Sequence, residues 1–210
     1  MNEKLTEIEG LIRHPTPQTL SRLLELSYDS DEEVRFRSIE ALEKYTVTNE
    51  MLCRVRQGLS DVDELVRTTC AELIGDWEDK CSVELLYNCI HDESQLVRSA
   101  AITALGQIGR PDTVSFLAGK HPSLSGLERL SSAMALYTLG DSKYLDDVLS
   151  CLSDSDYRVR CATANLLSNF IDDDHKGYVI TKLKEALLKE QTKAGSSSIS
   201  DALTEMNGNE

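Results

Sequence analysis

Polar turns and apolar stripes alternate along this chain at a fixed interval. Set in rows of 31 or 32 residues, the segments DSDEEVRFRSIEAL, DVDELVRTTCAELI, DESQLVRSAAITAL, SLSGLERLSSAMAL and DSDYRVRCATANLL fall into register. Self-similarity at such a period marks a repeat architecture. One column is arginine throughout: Arg35, Arg67, Arg98, Arg129 and Arg160. Counted from it, apolar or small residues recur at offsets −1, +3, +6, +7 and +10, the 3.6-residue period of an amphipathic helix.

Six positions before the arginine stand Asp29, Asp61, Asp92, Ser123 and Asp154. An aspartate there can accept the free amide protons of a first helical turn, so this column is expected to cap the helices. Gly109 and Gly140 suit the opposite ends. Further helical stretches precede the rows, at about 17–28, 48–60, 79–90, 111–119 and 143–152, which makes each row the second helix of a pair. Pro111 and Pro122 fall at predicted boundaries.

The pattern therefore predicts an all-α chain of about five helix pairs, at about 16–46, 48–78, 79–109, 111–140 and 143–171, with capping helices at 2–13 and 176–190 to cover the ends of the stack. Residues 1–190 are expected to form a single domain. Residues 191–210, polar and small, read as a flexible tail in which ISDALTEM is a candidate for a partner-induced helix.

The aspartate, followed by Val-Arg, small residues and a leucine, resembles the HEAT family, specifically the short HEAT-like repeats of phycobilisome lyases, over about residues 16–171. The resemblance implies a right-handed α-solenoid. It also implies structural hydrogen-bonded ladders between neighbouring repeats, made by Asp29, Asp61, Asp92 and Asp154 with the five arginines. Repeat four departs from the pattern with Ser123 for the aspartate and Glu128 for the valine, and the superhelix is expected to bend or open there.

Charge narrows the partner. Acidic residues number 36 against 22 basic ones, a net charge of −14, which repels phosphate backbones and anionic lipid and favours a basic protein over nucleic acid or a membrane. The N-terminal MNEKLTEIEGLIR lacks the basic-then-apolar order of a secretory signal, and no stretch reaches the length of a membrane span, so a cytoplasmic location is expected. The six cysteines form no CxxC pair and read as reduced thiols. His14, His91, His121 and His175 lie in separate predicted turns, read as solvent-facing, and no His-Glu dipeptide occurs, so no metal and no cofactor is expected. There is no nucleophile elbow, phosphate loop or HExxH helix. Carboxylate pairs such as Asp31/Glu32 and Asp172/Asp173 read as solvated turns, and no catalytic residue is assigned.

Offsets +1, +5 and +8 point away from the predicted core, and the resemblance implies that second helices line a concave surface. The candidate binding ridge is then Phe36, Glu40, Glu43, Thr68, Glu72, Ser99, Thr103, Leu130, Met134, Tyr137, Cys161 and Asn165. Leu130, Met134 and Tyr137 would form an apolar anchor, with Glu40, Glu43 and Glu72 steering a basic partner. Alternatively, the segment before repeat four or the tail covers that anchor. The expected function is a non-catalytic protein-interaction module, in its sharpest form an immunity-type inhibitor of a bacterial toxin. The alternatives are a lyase-like, bilin-handling chaperone, implied by the repeat subtype, and a structural adaptor in a larger assembly.

Overall fold

A computed structural model describes residues 3–208. Among these the chain is all-α, of the α-solenoid class, with thirteen α-helices and no strand. It divides into two compact units, one ending at Gly109 and the other beginning at Arg110.

In the first unit, α1 (Glu3–Leu11) precedes three helix pairs: α2 (Pro17–Leu26) with α3 (Glu32–Glu40), α4 (Asn49–Gly58) with α5 (Glu64–Asp76), and α6 (Val83–Cys89) with α7 (Gln95–Ile108). A 3-10 turn, Ala41–Lys44, extends α3, and another, Lys80–Ser82, leads into α6. The core is the set of offsets read from the arginine: Val34, Val66 and Val97 at −1 and Leu42, Ile74 and Leu105 at +7 are all fully buried. The α5–α7 packing is close because Gly75 lies against α7, where a Cβ would stand 2.7 Å from the Cα of Ala104. Gly109 ends α7 in the left-handed region at φ 64°, a conformation glycine adopts without steric cost.

The second unit comprises α8 (Pro111–Lys120) with α9 (Gly126–Thr138), α10 (Leu145–Ser150) with α11 (Tyr157–Phe170), and α12 (Asp173–Leu187) with α13 (Lys193–Asn207). The last helix corrects the expectation of a flexible tail. It buries Gly195, Ile199, Ala202 and Met206 and packs on α11 and α12. Counted from Ser196, these stand at −1, +3, +6 and +10, the core offsets of the other repeats, so α12 and α13 make a sixth pair with serine in the arginine column.

The helix caps lie two residues later than expected. Asp31, Asp63 and Asp156 cap α3, α5 and α11. The earlier column instead closes the turn ahead of the cap: Asp29, Asp61, Asp92 and Asp154 each accept the backbone N–H two residues on, at 2.8–3.0 Å.

Candidate functional site

Two kinds of charged structure occupy the second helices, and they face different ways. The first is a ladder. Arg35 donates through Nε and Nη2 to both oxygens of Asp61 at 2.9 and 2.7 Å, and Arg67 does the same to Asp92 at 2.8 and 2.9 Å. Each guanidinium also holds the two carbonyls of its own preceding turn, Arg35 those of Asp29 and Ser30 and Arg67 those of Asp61 and Val62. Planar forks of this kind fix geometry as well as charge. Burial opposes ionisation of Asp61 and Asp92, yet the arginine forks together with the backbone amides of Asp63 and Ser94 hold both carboxyls below the usual range.

Not every member of the two columns pairs as the resemblance implies. Asp29 takes the ammonium of Lys4 from α1. Arg129 pairs with Asp147 on α10, while the Asp154 carboxylate accepts the amide of Asp156. Arg160 reaches forward to Glu190 at 2.6 and 2.8 Å. Glu190 also accepts the amide of Thr192, which makes it the sixth member of the aspartate column and, with Ser123 in the fourth place, its fifth carboxylate. A glutamate in place of aspartate, with no arginine six residues later, hid this position. The signal that could have found it is the recurrence of the core offsets in α13.

The second structure is a groove in the first unit. Phe36, Glu40 and Glu43 from α3 and its 3-10 extension face Leu65, Thr68, Thr69, Glu72, Leu73 and Asp76 from α5, enclosing about 330 Å³. Four of these nine residues are carboxylates and none is basic. Desolvation, Asp76 and Glu40, in that order, raise the Glu72 carboxyl above its ordinary value. A second trough of about 480 Å³ lies on the other flank of α3, against α1. Leu5, Ile8, Ile12 and Ala41 give it an apolar lining, and it shares Glu40 and Glu43 with the first. Its charges are largely matched internally: Arg37 pairs with Glu33 and Glu40 at 2.9 and 3.1 Å, and Lys44 lies 3.6 Å from Glu43.

Of the predicted ridge, Phe36, Glu40, Glu43, Thr68 and Glu72 thus come together. Leu65, Thr69, Leu73 and Asp76 were missed, although Asp76 follows Glu72 by one helical turn. Thr103 is exposed outside the groove, while Ser99 is buried. Asn165 is exposed and Cys161 half-buried on α11 of the other unit.

Leu130, Met134 and Tyr137 do not form an exposed anchor. They are 1%, 5% and 6% exposed, because α9 packs against α8, α10 and α11 and buries residues on nearly every face. The Tyr137 hydroxyl donates to Asp172 and lies 3.0 Å from His175 Nδ1, tying α9 to the start of α12. Burial first, then Asp172, pushes the phenol up to about 12. His121, read as solvent-facing, is also buried. Its ring meets Tyr144 edge-on at 5.1 Å, and its Nε2 lies 3.4 Å from Asp147, the carboxylate that Arg129 holds.

Among the described residues no group of three or more His, Cys, Asp or Glu side chains is placed to hold a metal ion. No helix among them is long and apolar enough to cross a membrane.

Comparison with known proteins agrees with this geometry. A family profile described as HEAT repeats matches residues 54–122, and a HEAT repeat profile matches residues 145–173. Among solved structures, the complex of CpcE and CpcF of phycocyanin lyase from Nostoc sp. PCC7120 is similar at a TM-score of 0.51 and 15% identity, over 92% of this chain and 97% of that one. A designed armadillo repeat protein aligns at a TM-score of 0.43 and 14% identity, over 96% of this chain and 99% of that one. No curated protein matches the sequence.

Proposed function

We propose that this HEAT-repeat protein is a non-catalytic binding module whose first unit receives a basic protein partner in the trough between α3 and α5. Repeat scaffolds of this class are suited to protein interaction, and the observation that carries the reading is the groove itself. Glu40, Glu43, Glu72 and Asp76 line it without a single basic residue, beside exposed apolar surface from Leu65. Arg37 and Lys44 partly offset Glu40 and Glu43 from the other flank of α3, whereas Glu72 and Asp76 repel one another, and a cationic partner removes that repulsion on binding. With a net charge of −14, the protein would also attract such a partner over distance, an effect that weakens with salt.

Affinity capture from native lysate at low and high salt tests the proposal, comparing the parent with a folded triple variant E40K/E43K/E72K. The expected result is a basic protein retained by the parent, released by salt and not retained by the variant. Retention by both proteins would remove the groove from the interface. An activity assay on the captured protein then separates an immunity-type inhibitor, which abolishes that activity, from an adaptor, which leaves it intact. In the alternative reading, motivated by likeness to the phycocyanin lyase subunits, the protein handles a bilin. A change in bilin absorption on mixing, with no protein partner captured, would favour that reading.

A further inference from the structure

A mostly polar stripe holds α8 to the rest of its unit. Its buried residues, with that of the 3-10 turn His121–Ser123 that follows it, are Thr113, Leu117 and His121, spaced four apart and so on one helical face. Only Leu117 among them is apolar. By contrast α10, six residues long, buries Leu145, Val148 and Leu149. The ends of α8 add little. Its cap residue Arg110 makes no side-chain capping bond, and Ser123, which stands where the other first five repeats carry aspartate, donates back to the Lys120 carbonyl at 2.7 Å.

His121 is the weak point of the stripe. It is 5% exposed, yet neither ring nitrogen has a hydrogen-bond partner among the described residues. Two charged groups face it: Asp147 on α10, 3.4 Å from Nε2, and Arg129 on α9, whose guanidinium already takes Asp147 and whose Nε is itself buried without a partner. Tyr144 meets the ring edge-on, and the Lys143 ammonium lies 4.8 Å from the centre of the Tyr144 ring. A neutral imidazole fits this setting. An imidazolium would bring a second cation to a carboxylate that Arg129 holds, and a buried donor left unpaired costs more when it is charged.

From this geometry we infer that His121 is an acid-released latch: on taking a proton from solvent it lets α8 and its 3-10 turn detach from α9 and α10 while the other helices of the unit stay folded. Water then solvates the imidazolium, and the flank of α9 packed on α8 becomes accessible. Burial, with Arg129 adding to it and Asp147 opposing, holds the folded imidazole below its ordinary 6.5. In the detached segment the ring regains that value. The detached population is therefore constant above about pH 6.5 and grows as pH falls from there toward the folded value, by at most about tenfold per unit. The latch is independent of the groove in the first unit.

Hydrogen exchange read by mass spectrometry on the full chain, at several pH values between about 7.5 and 5 and corrected for the intrinsic pH dependence of exchange, tests the latch. In the parent, amides of residues 114–120 are expected to be at least about tenfold less protected than those of α11 at every pH, and to lose protection at least about threefold between pH 7 and 5.5. In H121Q that loss should vanish. H121F, which keeps a ring beside Tyr144, serves the same purpose should H121Q not fold. Protection of 114–120 that stays flat with pH in the parent would overturn the latch, as would an equal loss in the parent and the folded variant. Equal protection of α8 and α11 at every pH would also reject it, since the unit would then open only as a whole.

Discussion

Arg160 and Glu190, thirty residues apart, form a two-pronged ion pair in which the glutamate side chain is 1% exposed. Glu190 in turn starts the turn that leads into α13. The final helix is therefore fastened by the same device that joins the earlier repeats.

Replacing Glu190 with alanine should cost about 2 kcal/mol. The loss stays below that of a fully buried pair because solvent reaches Arg160. Hydrogen exchange supplies the check: amides of α13 should be protected in the parent and exchange faster in the variant. Rapid exchange throughout 193–207 in the parent would return this segment to a flexible tail.

Glycine at position 75 should resist replacement. Alanine favours a helix by about 1 kcal/mol, but its Cβ would press within 2.7 Å of the Ala104 backbone, and overpacking costs about 1–3 kcal/mol. The steric effect should win, so denaturant unfolding of G75A should show a lowered midpoint.

Tyr137 distinguishes a core residue from a surface anchor. Y137A should cost about 3–5 kcal/mol as a large-to-small core change. Y137F, which loses only the hydroxyl bonds to Asp172 and His175, should cost about 1 kcal/mol. A negligible effect of Y137A in thermal unfolding would place the ring outside the core.

Burial depresses the His121 pKa below its ordinary 6.5, the attraction of Asp147 notwithstanding. Above about pH 6.5 the ring is neutral in both folded and unfolded chains and has no pH effect. Below it the unfolded chain takes the proton first, so stability should fall as pH drops from 6.5 toward the folded value, by at most about 1.4 kcal/mol per pH unit. In H121F, which keeps an aromatic ring beside Tyr144, the slope of melting temperature against pH should flatten over that window.

Glu72 should show the opposite signs for stability and binding that mark a functional position. E72Q relieves repulsion from Asp76 and Glu40. It should therefore raise stability, on the order of 0.5 kcal/mol once solvent screening is allowed for, while weakening retention of a basic partner. A stability measurement and a binding measurement on this one variant suffice.

Much of the fold was legible because one column repeats. From the arginines, the offsets that hold Val34, Ile74 and Leu105 follow from helical geometry alone. The acidic groove was half legible, since Glu40 and Glu72 share one face direction, whereas the contribution of α1 needed packing to be seen. The α9 error has a definite cause. Leu130, Met134 and Tyr137 are apolar on the face opposite the stripe, and a helix that is apolar all round is buried all round; reading that face as an exposed ridge carried over the behaviour of half-buried helices. The sixth pair escaped because Ser196 stands where arginine was sought and because the run Gly195, Ser196, Ser197 and Ser198 imitates a linker.

Each of Arg35 and Arg67 grips the turn behind it with one nitrogen and the carboxylate of the next repeat with the other two. A duplication cut at matching points of two such repeats would bring in one donor and one acceptor, leaving every seam closed. A cut elsewhere would strand a guanidinium or a carboxylate in a partly buried gap. Such a chain can lengthen or shorten in whole steps, and fractions of a step are disfavoured by charge before packing is even considered.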